Sequence, residues 1–172
     1  MKKVAIIAAA LLLCGCGQSA PDVSSSPESS VSEIKSDFRI VKPEEVTQGR
    51  RDKMSIESVY VLERKEDHIL VIDYLFLQCF SNEPASFGDS YNDSVYINGI
   101  EAEHYYGDIE GSEANYDSKL LSMARANIKV GYKIKDYEAV KDKDFRLFLN
   151  LKDGAVMYEI EGVISNLQVE KG

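Results

Sequence analysis

The stretch His68 to Phe80, HILVIDYLFLQCF, constrains the fold more than any other part of the chain. Leu70, Ile72, Tyr74, Phe76 and Phe80 share one parity, and Ile69, Val71, Leu75, Leu77 and Cys79 share the other. Successive side chains of a strand point to opposite faces, so a run that is apolar on both parities reads as a central strand covered on both sides. Period two recurs along the chain. Met54, Ile56 and Val61 mark an earlier strand, and Ile128, Val130, Tyr132 and Ile134 alternate in a later one. Phe145, Leu147, Leu149 and Leu151 alternate again. Asn98-Gly99, inside SVYINGIEAE, and Asp153-Gly154 are hairpin turns, because both central positions of such turns need residues that tolerate positive φ. Val163 to Leu167 is a last short run that pairs or only packs. No long amphipathic helix and no repeat of 20–50 residues is visible, although Leu120 to Arg125 and Pro43 to Val46 each suit one helical turn. Seven to eight short strands with turns between them predict an all-β antiparallel sandwich over residues 37–172.

The N-terminus is an address. Lys2 and Lys3 precede the apolar run Val4 to Leu13, which is too short for a membrane span of about 20 residues and suits a signal h-region. Leu13-Cys14-Gly15-Cys16 follows and resembles the lipobox of bacterial lipoproteins. Cys16 has the small Gly15 before it, whereas Cys14 has Leu13. The resemblance implies a cleaved signal peptide over 1–15 and a diacylglyceryl lipid on Cys16, the one prosthetic group expected. Two acyl chains anchor a protein stably, so the expected place is the outer face of a bacterial membrane. Residues 16–36 are rich in Ser, with Pro21 and Pro27 and no apolar periodicity. Such a segment buries too little surface to offset its ordering entropy and reads as a disordered tether. A tether of ~20 residues has a root-mean-square span of about 25 Å.

With Cys14 cleaved away and Cys16 acylated, Cys79 is left alone, so no intrachain disulfide is expected. In its apolar run it reads as a small buried residue. The chain carries 29 acidic and 20 basic residues, a net charge of −9. That balance argues against nucleic acid and anionic headgroups as main partners, since both need a basic patch.

The residues Leu70 to Phe76, Asn82-Glu83, Ser86-Phe87, Val95 to Glu103 and Val130 to Asp136 carry a wider resemblance. Over roughly Asp52 to Ile160 the chain is similar to a family of uncharacterised Gram-positive lipoproteins with a lipobox, a Ser-rich tether and an extracellular immunoglobulin-like domain of unknown function. The resemblance implies an immunoglobulin-like version of the sandwich, and it names no activity.

No catalytic motif stands out: no Gly-x-Ser-x-Gly, no His-Glu-x-x-His and no phosphate-cradling Gly-rich loop. His68 and His104, on separate strands, read as surface histidines rather than metal ligands. Tyrosine is the informative residue, with Tyr91, Tyr96, Tyr105, Tyr106 and Tyr116 close together in sequence. A tyrosine joins a rigid apolar body to a polar tip and is favoured at interfaces. Tyr105, Tyr106 and Tyr116 beside Asp108 and Glu110 therefore form the candidate binding surface, suited to a basic protein or an envelope component. The competing reading is a small-ligand module for a glycan or Ca²⁺, with Asp89 and Asp93 as the weak metal candidates. An envelope hydrolase has the least support.

Overall fold

The computed structural model describes residues 38–42, 52–65, 67–78, 83–152 and 156–172. The signal peptide, Cys16, the tether, Pro43 to Val46, Cys79 and the Asp153-Gly154 turn lie outside the described residues. The remainder forms ten strands: β1 (Arg39–Lys42), β2 (Asp52–Arg64), β3 (Asp67–Gln78), β4 (Tyr91–Ile97), β5 (Ile100–Glu101), β6 (His104–Tyr105), β7 (Arg125–Ile134), β8 (Asp144–Leu151), β9 (Val156–Val163) and β10 (Gln168–Lys171). One sheet has the order β1-β9-β8-β4-β5 and the other β10-β2-β3-β7-β6. Two one-turn helices, α1 (Phe87–Ser90) and α2 (Tyr137–Val140), and a 3₁₀ turn at Ile164–Asn166 complete the chain.

The doubly apolar strand is β3, and it lies at the middle of its sheet between β2 and β7, as its pattern requires. Leu70, Ile72, Tyr74 and Phe76 enter the core between the sheets. Ile69 and Val71 face the other way and join a smaller cluster with Tyr60, Leu62 and Ile109. β2 carries a bulge between Ile56 and Ser58. The extra residue switches parity, so Met54 and Ile56 point into the core and so do Val59 and Val61. From the opposite sheet, Val95 and Ile97 of β4 and Phe145, Leu147, Leu149 and Leu151 of β8 meet them. Asn98 (φ 50°) and Gly99 (φ 76°) make the expected tight turn between β4 and β5.

The fold is thus the expected all-β sandwich, with differences at its margins. Of the strands that the alternation did not mark, β6 is a two-residue pairing too short to leave a periodic trace, and β1 is only four residues long. The final strand β10 runs parallel to β2, so the second sheet is mixed rather than wholly antiparallel. Val163 to Leu167 packs rather than pairs along its length, with Ile164 and Leu167 buried at the 3₁₀ turn. Leu120 to Arg125 is not a helical turn. Its backbone bonds run outward instead, Leu120 to Ala85 in both directions and Met123 N–H to the Gln78 carbonyl at 2.7 Å, and Met123 takes a left-handed φ of 65°.

Candidate functional site

Between β4 of one sheet and the edge formed by β6 and β7 of the other lies an open groove of about 1050 Å³. Its outer wall is the connection from Tyr106 to Leu121 between β6 and β7, which fastens itself to β7. The amides of Glu113 and Ala114 donate to the Asn127 carbonyl (2.9 and 3.3 Å), and the Lys129 amide donates to Ser112 Oγ at 3.1 Å. Lys129 Nζ donates to the Glu110 carbonyl at 2.9 Å and sits 5.6 Å from the centre of the Tyr60 ring. Ile109 and Tyr105 seat against Gly131, where a Cβ would lie 3.1 Å from Ile109 Cδ1 and 2.9 Å from Ile69 Cγ2. The absent side chain in Val130-Gly131-Tyr132 is what lets this wall close down on the strand.

The five residues expected as a binding surface, Tyr105, Tyr106, Asp108, Glu110 and Tyr116, all line this one groove. Their roles differ. The Tyr116 hydroxyl donates to the Tyr91 carbonyl at 2.9 Å and its ring packs edge-on against Phe87 at 5.2 Å. Burial raises its pKa above that of a free phenol, with Asp93 adding to the effect. Tyr105 Oη accepts from Arg64 Nη1 at 2.7 Å. Both rings therefore brace the groove. Tyr106 is the presented one, 91% exposed and stacked on His104 at 5.9 Å.

The two acids suggested for Ca²⁺ have different partners. Asp89 accepts from the Ser86 amide at 2.7 Å, capping α1, and pairs with Lys119. That lysine contact and the Ser86 bonds pull its pKa down to about 2. Asp93 instead points into the sandwich, only 9% exposed, at the floor of the groove. Tyr74 Oη donates to Asp93 Oδ2 at 3.1 Å. Desolvation pushes the Asp93 pKa up, while the nearby Tyr132 hydroxyl, the His104 imidazole and Tyr74 oppose it. Tyr132 Oη is the carboxylate's second phenol partner, in a looser contact than Tyr74. It and Asp93 Oδ1 are both shut off from solvent. The His104 ring packs on Tyr132 at 4.5 Å, and His68 stacks on Tyr137 at 4.0 Å. Among the described residues no three His, Cys, Asp or Glu side chains gather as a metal site.

Sequence reasoning took Asp93 only as a weak metal candidate and His104 and Tyr132 one at a time. The signal that finds the group is parity: Tyr91, Asp93, Val95 and Ile97 share one face of β4, so the acid must be inside.

In the groove a buried carboxylate supplies charge, His104 supplies a ring, and Asp108, Glu110, Glu113 and Asp117 make the rim acidic. The protein is a mixed β-sandwich with an acidic, tyrosine-braced groove at one edge. No protein-family profile and no curated protein matches the sequence. Its fold is similar to that of a solved protein described as a "putative lipoprotein from Staphylococcus aureus subsp. aureus NCTC 8325", with a TM-score of 0.53. The two are 13% identical, and the match covers 82% of this chain and 97% of the other.

Proposed function

We propose that the chain is a lipid-anchored, extracytoplasmic binding module without catalysis, and that its groove receives a basic partner at the cell envelope. The observation that carries the reading is the convergence of Tyr105, Tyr106, Asp108, Glu110 and Tyr116 on one groove with a charged floor. Exposed Tyr106 and the acidic rim supply contact area and charge complementarity, the features that make a surface selective. The anchor rests on the lipobox before Cys16 and is supported by the description of the structural relative as a lipoprotein. The Ca²⁺ alternative is weaker, since Lys119 already occupies Asp89.

The test is crosslinking on intact cells with the full-length protein. Tyr106→Ala together with Asp108→Asn removes exposed groups only, so the unfolding temperature stays unchanged while crosslinks to envelope components disappear. Crosslinks that persist at wild-type level would sink the groove assignment. Cys16→Ser tests the anchor separately: the protein should leave the membrane fraction or stay unprocessed.

A further inference from the structure

Two of the large apolar side chains that the described residues expose stand together on one turn, Leu121 at 70% and Met123 at 57%. The backbone fixes them there. Leu120 exchanges hydrogen bonds with Ala85 (2.9 and 3.1 Å) and packs against the core, so Leu121 beside it is turned outward. The Met123 amide donates to the Gln78 carbonyl at 2.7 Å, and the Gln78 amide donates to the Ala124 carbonyl at 2.9 Å. Met123 takes a φ of 65°, a conformation that costs a non-glycine residue energy and that gathers at functional positions. Neither side chain lines the groove. Resting on the lipid anchor proposed above, we propose that this turn is a second membrane contact, Leu121 and Met123 entering the boundary between headgroups and acyl chains to seat the domain on the bilayer.

Charge, size and reach select a lipid surface as the occupant. The apolar pair is bracketed by exposed cations, Lys119 and Arg125, a local reversal of sign in a chain of net charge −9. Basic side chains beside an apolar tip lay their stems along it and keep their heads among lipid headgroups. Arg125 contributes more, since Lys119 is shared with Asp89. The insertion is apolar, so it does not need the broad basic patch that the chain lacks. Two side chains are too few for a stable protein interface, which buries about 800 Å² per partner. They suffice for a domain that an anchor already holds at the membrane, because a linked second contact forms at high effective concentration. The turn lies at the end of the sandwich where β3 stops and β4 starts, the end marked by the contact between the Phe76 and Tyr91 rings. The chain enters nearer the opposite end, where Arg39 pairs with Glu161 of β9. β2, the longest strand at 13 residues, is about 43 Å long. The roughly 20 residues between Cys16 and β1 reach up to about 70 Å when extended, so the anchor allows the turn to face the bilayer.

The chain contains no tryptophan. Leu121→Trp therefore places a single reporter at the turn, and Ile100→Trp places a matched one at the exposed β4–β5 turn of the other end. Full-length proteins purified from a bacterial host are reconstituted into vesicles of phosphatidylcholine and phosphatidylglycerol, with or without bromine on the acyl chains, and recovered by flotation. Brominated lipid should quench Leu121→Trp at least about twice as strongly as Ile100→Trp, as expected for a side chain at the acyl boundary. Adding Met123→Asn should reduce that quenching by about half or more without lowering the unfolding temperature, because asparagine tolerates the left-handed backbone. Equal quenching at the two ends would overturn the inference. So would quenching unmoved by Met123→Asn, which would assign the insertion to the introduced tryptophan alone. A Leu121→Trp emission that shifts to the blue as protein density rises, yet is indifferent to bromine, would give the turn to a second copy of the chain and overturn it as well. Wild-type protein that fails to float would overturn the anchor and the inference together. Proteins that float without preferential quenching overturn the inference alone and leave the anchor standing.

Discussion

Replacing Asp93 by asparagine should make the unliganded protein more stable at neutral pH. Wild type buries a carboxylate that is held by Tyr74 Oη at 3.1 Å and more loosely by the Tyr132 hydroxyl, and is otherwise shut off from solvent. Each buried group left unsatisfied costs about 1–3 kcal/mol. An asparagine of the same shape keeps an oxygen for Tyr74, turns an NH₂ donor toward Tyr132 Oη and removes the buried charge. His104 nearby favours the charged form and offsets part of the gain. A net stabilisation of about 1–2 kcal/mol remains, which for a domain of this size raises the unfolding temperature by about 3–8 °C. The sign with pH follows from the raised pKa of Asp93 in the folded state. Its protonated form is favoured by folding, so that contribution is complete below the unfolded value of about 3.9 and is lost as pH rises through the folded value. The groups facing it are Tyr74 on β3, Tyr132 on β7, His104 on β6 and Tyr116 in the loop. The tyrosines are held neutral by burial and do not titrate in this window. The advantage of Asp93→Asn should therefore be small at pH 3.5 and grow as pH increases. Calorimetric scans of both proteins from pH 3.5 to 8 measure it. A variant that is less stable at pH 7, or an advantage that is flat across the range, would refute the reasoning.

Phe87 is fully buried and touches the rings of Tyr74, Phe76, Tyr91 and Tyr116, so Phe87→Ala should cost about 3–5 kcal/mol in urea unfolding and loosen the groove wall with it. Gly131→Ala places a methyl 2.9 Å from Ile69 Cγ2 and 3.2 Å from Tyr105 Cβ, and should cost about 1–3 kcal/mol by forcing the β6 connection off β7, read as faster hydrogen exchange at Glu113 and Ala114. Asp89 should titrate near 2 by carboxyl NMR and move toward the ordinary value in Lys119→Ala, the lysine being the largest cause of its shift. Its pKa is depressed, so the pairing is present above about pH 3.9 and is lost as pH falls toward 2. Both side chains are exposed, so the effect on stability is small.

The sandwich was legible because burial on both faces of one strand leaves few alternatives. His68 to Phe80 reads as a central strand before any partner is known, and β3 occupies that place. The elements that escaped reading are those whose cause is tertiary. β6 pairs two residues with β7, and its position depends on Gly131 and Ile109 rather than on its own sequence. The turn at Met123 exists because Gln78 and Ala85 supply its hydrogen-bond partners from elsewhere in the chain. The tyrosines of the groove were legible as a group, but their division into braces and a presented ring was not. Arg64 and the Tyr91 carbonyl claim Tyr105 and Tyr116, and both partners are distant in sequence.

Asp93 shows why a sandwich can hold a charge where its pattern calls for a hydrocarbon. Tyr91, Val95 and Ile97 on the same face of β4 are buried, and β4 is paired along its length with β8 from Tyr91–Leu151 to Ile97–Phe145. A one-residue slip would free the carboxylate. It would also turn those three apolar side chains to water and carry Asn92, Ser94 and Tyr96 inward. Each large apolar side chain exposed costs about 1.5–3 kcal/mol, so the slip costs more than a buried carboxylate held by two phenols. The apolar neighbours therefore hold Asp93 in place, and the fold tolerates a locally unfavourable group.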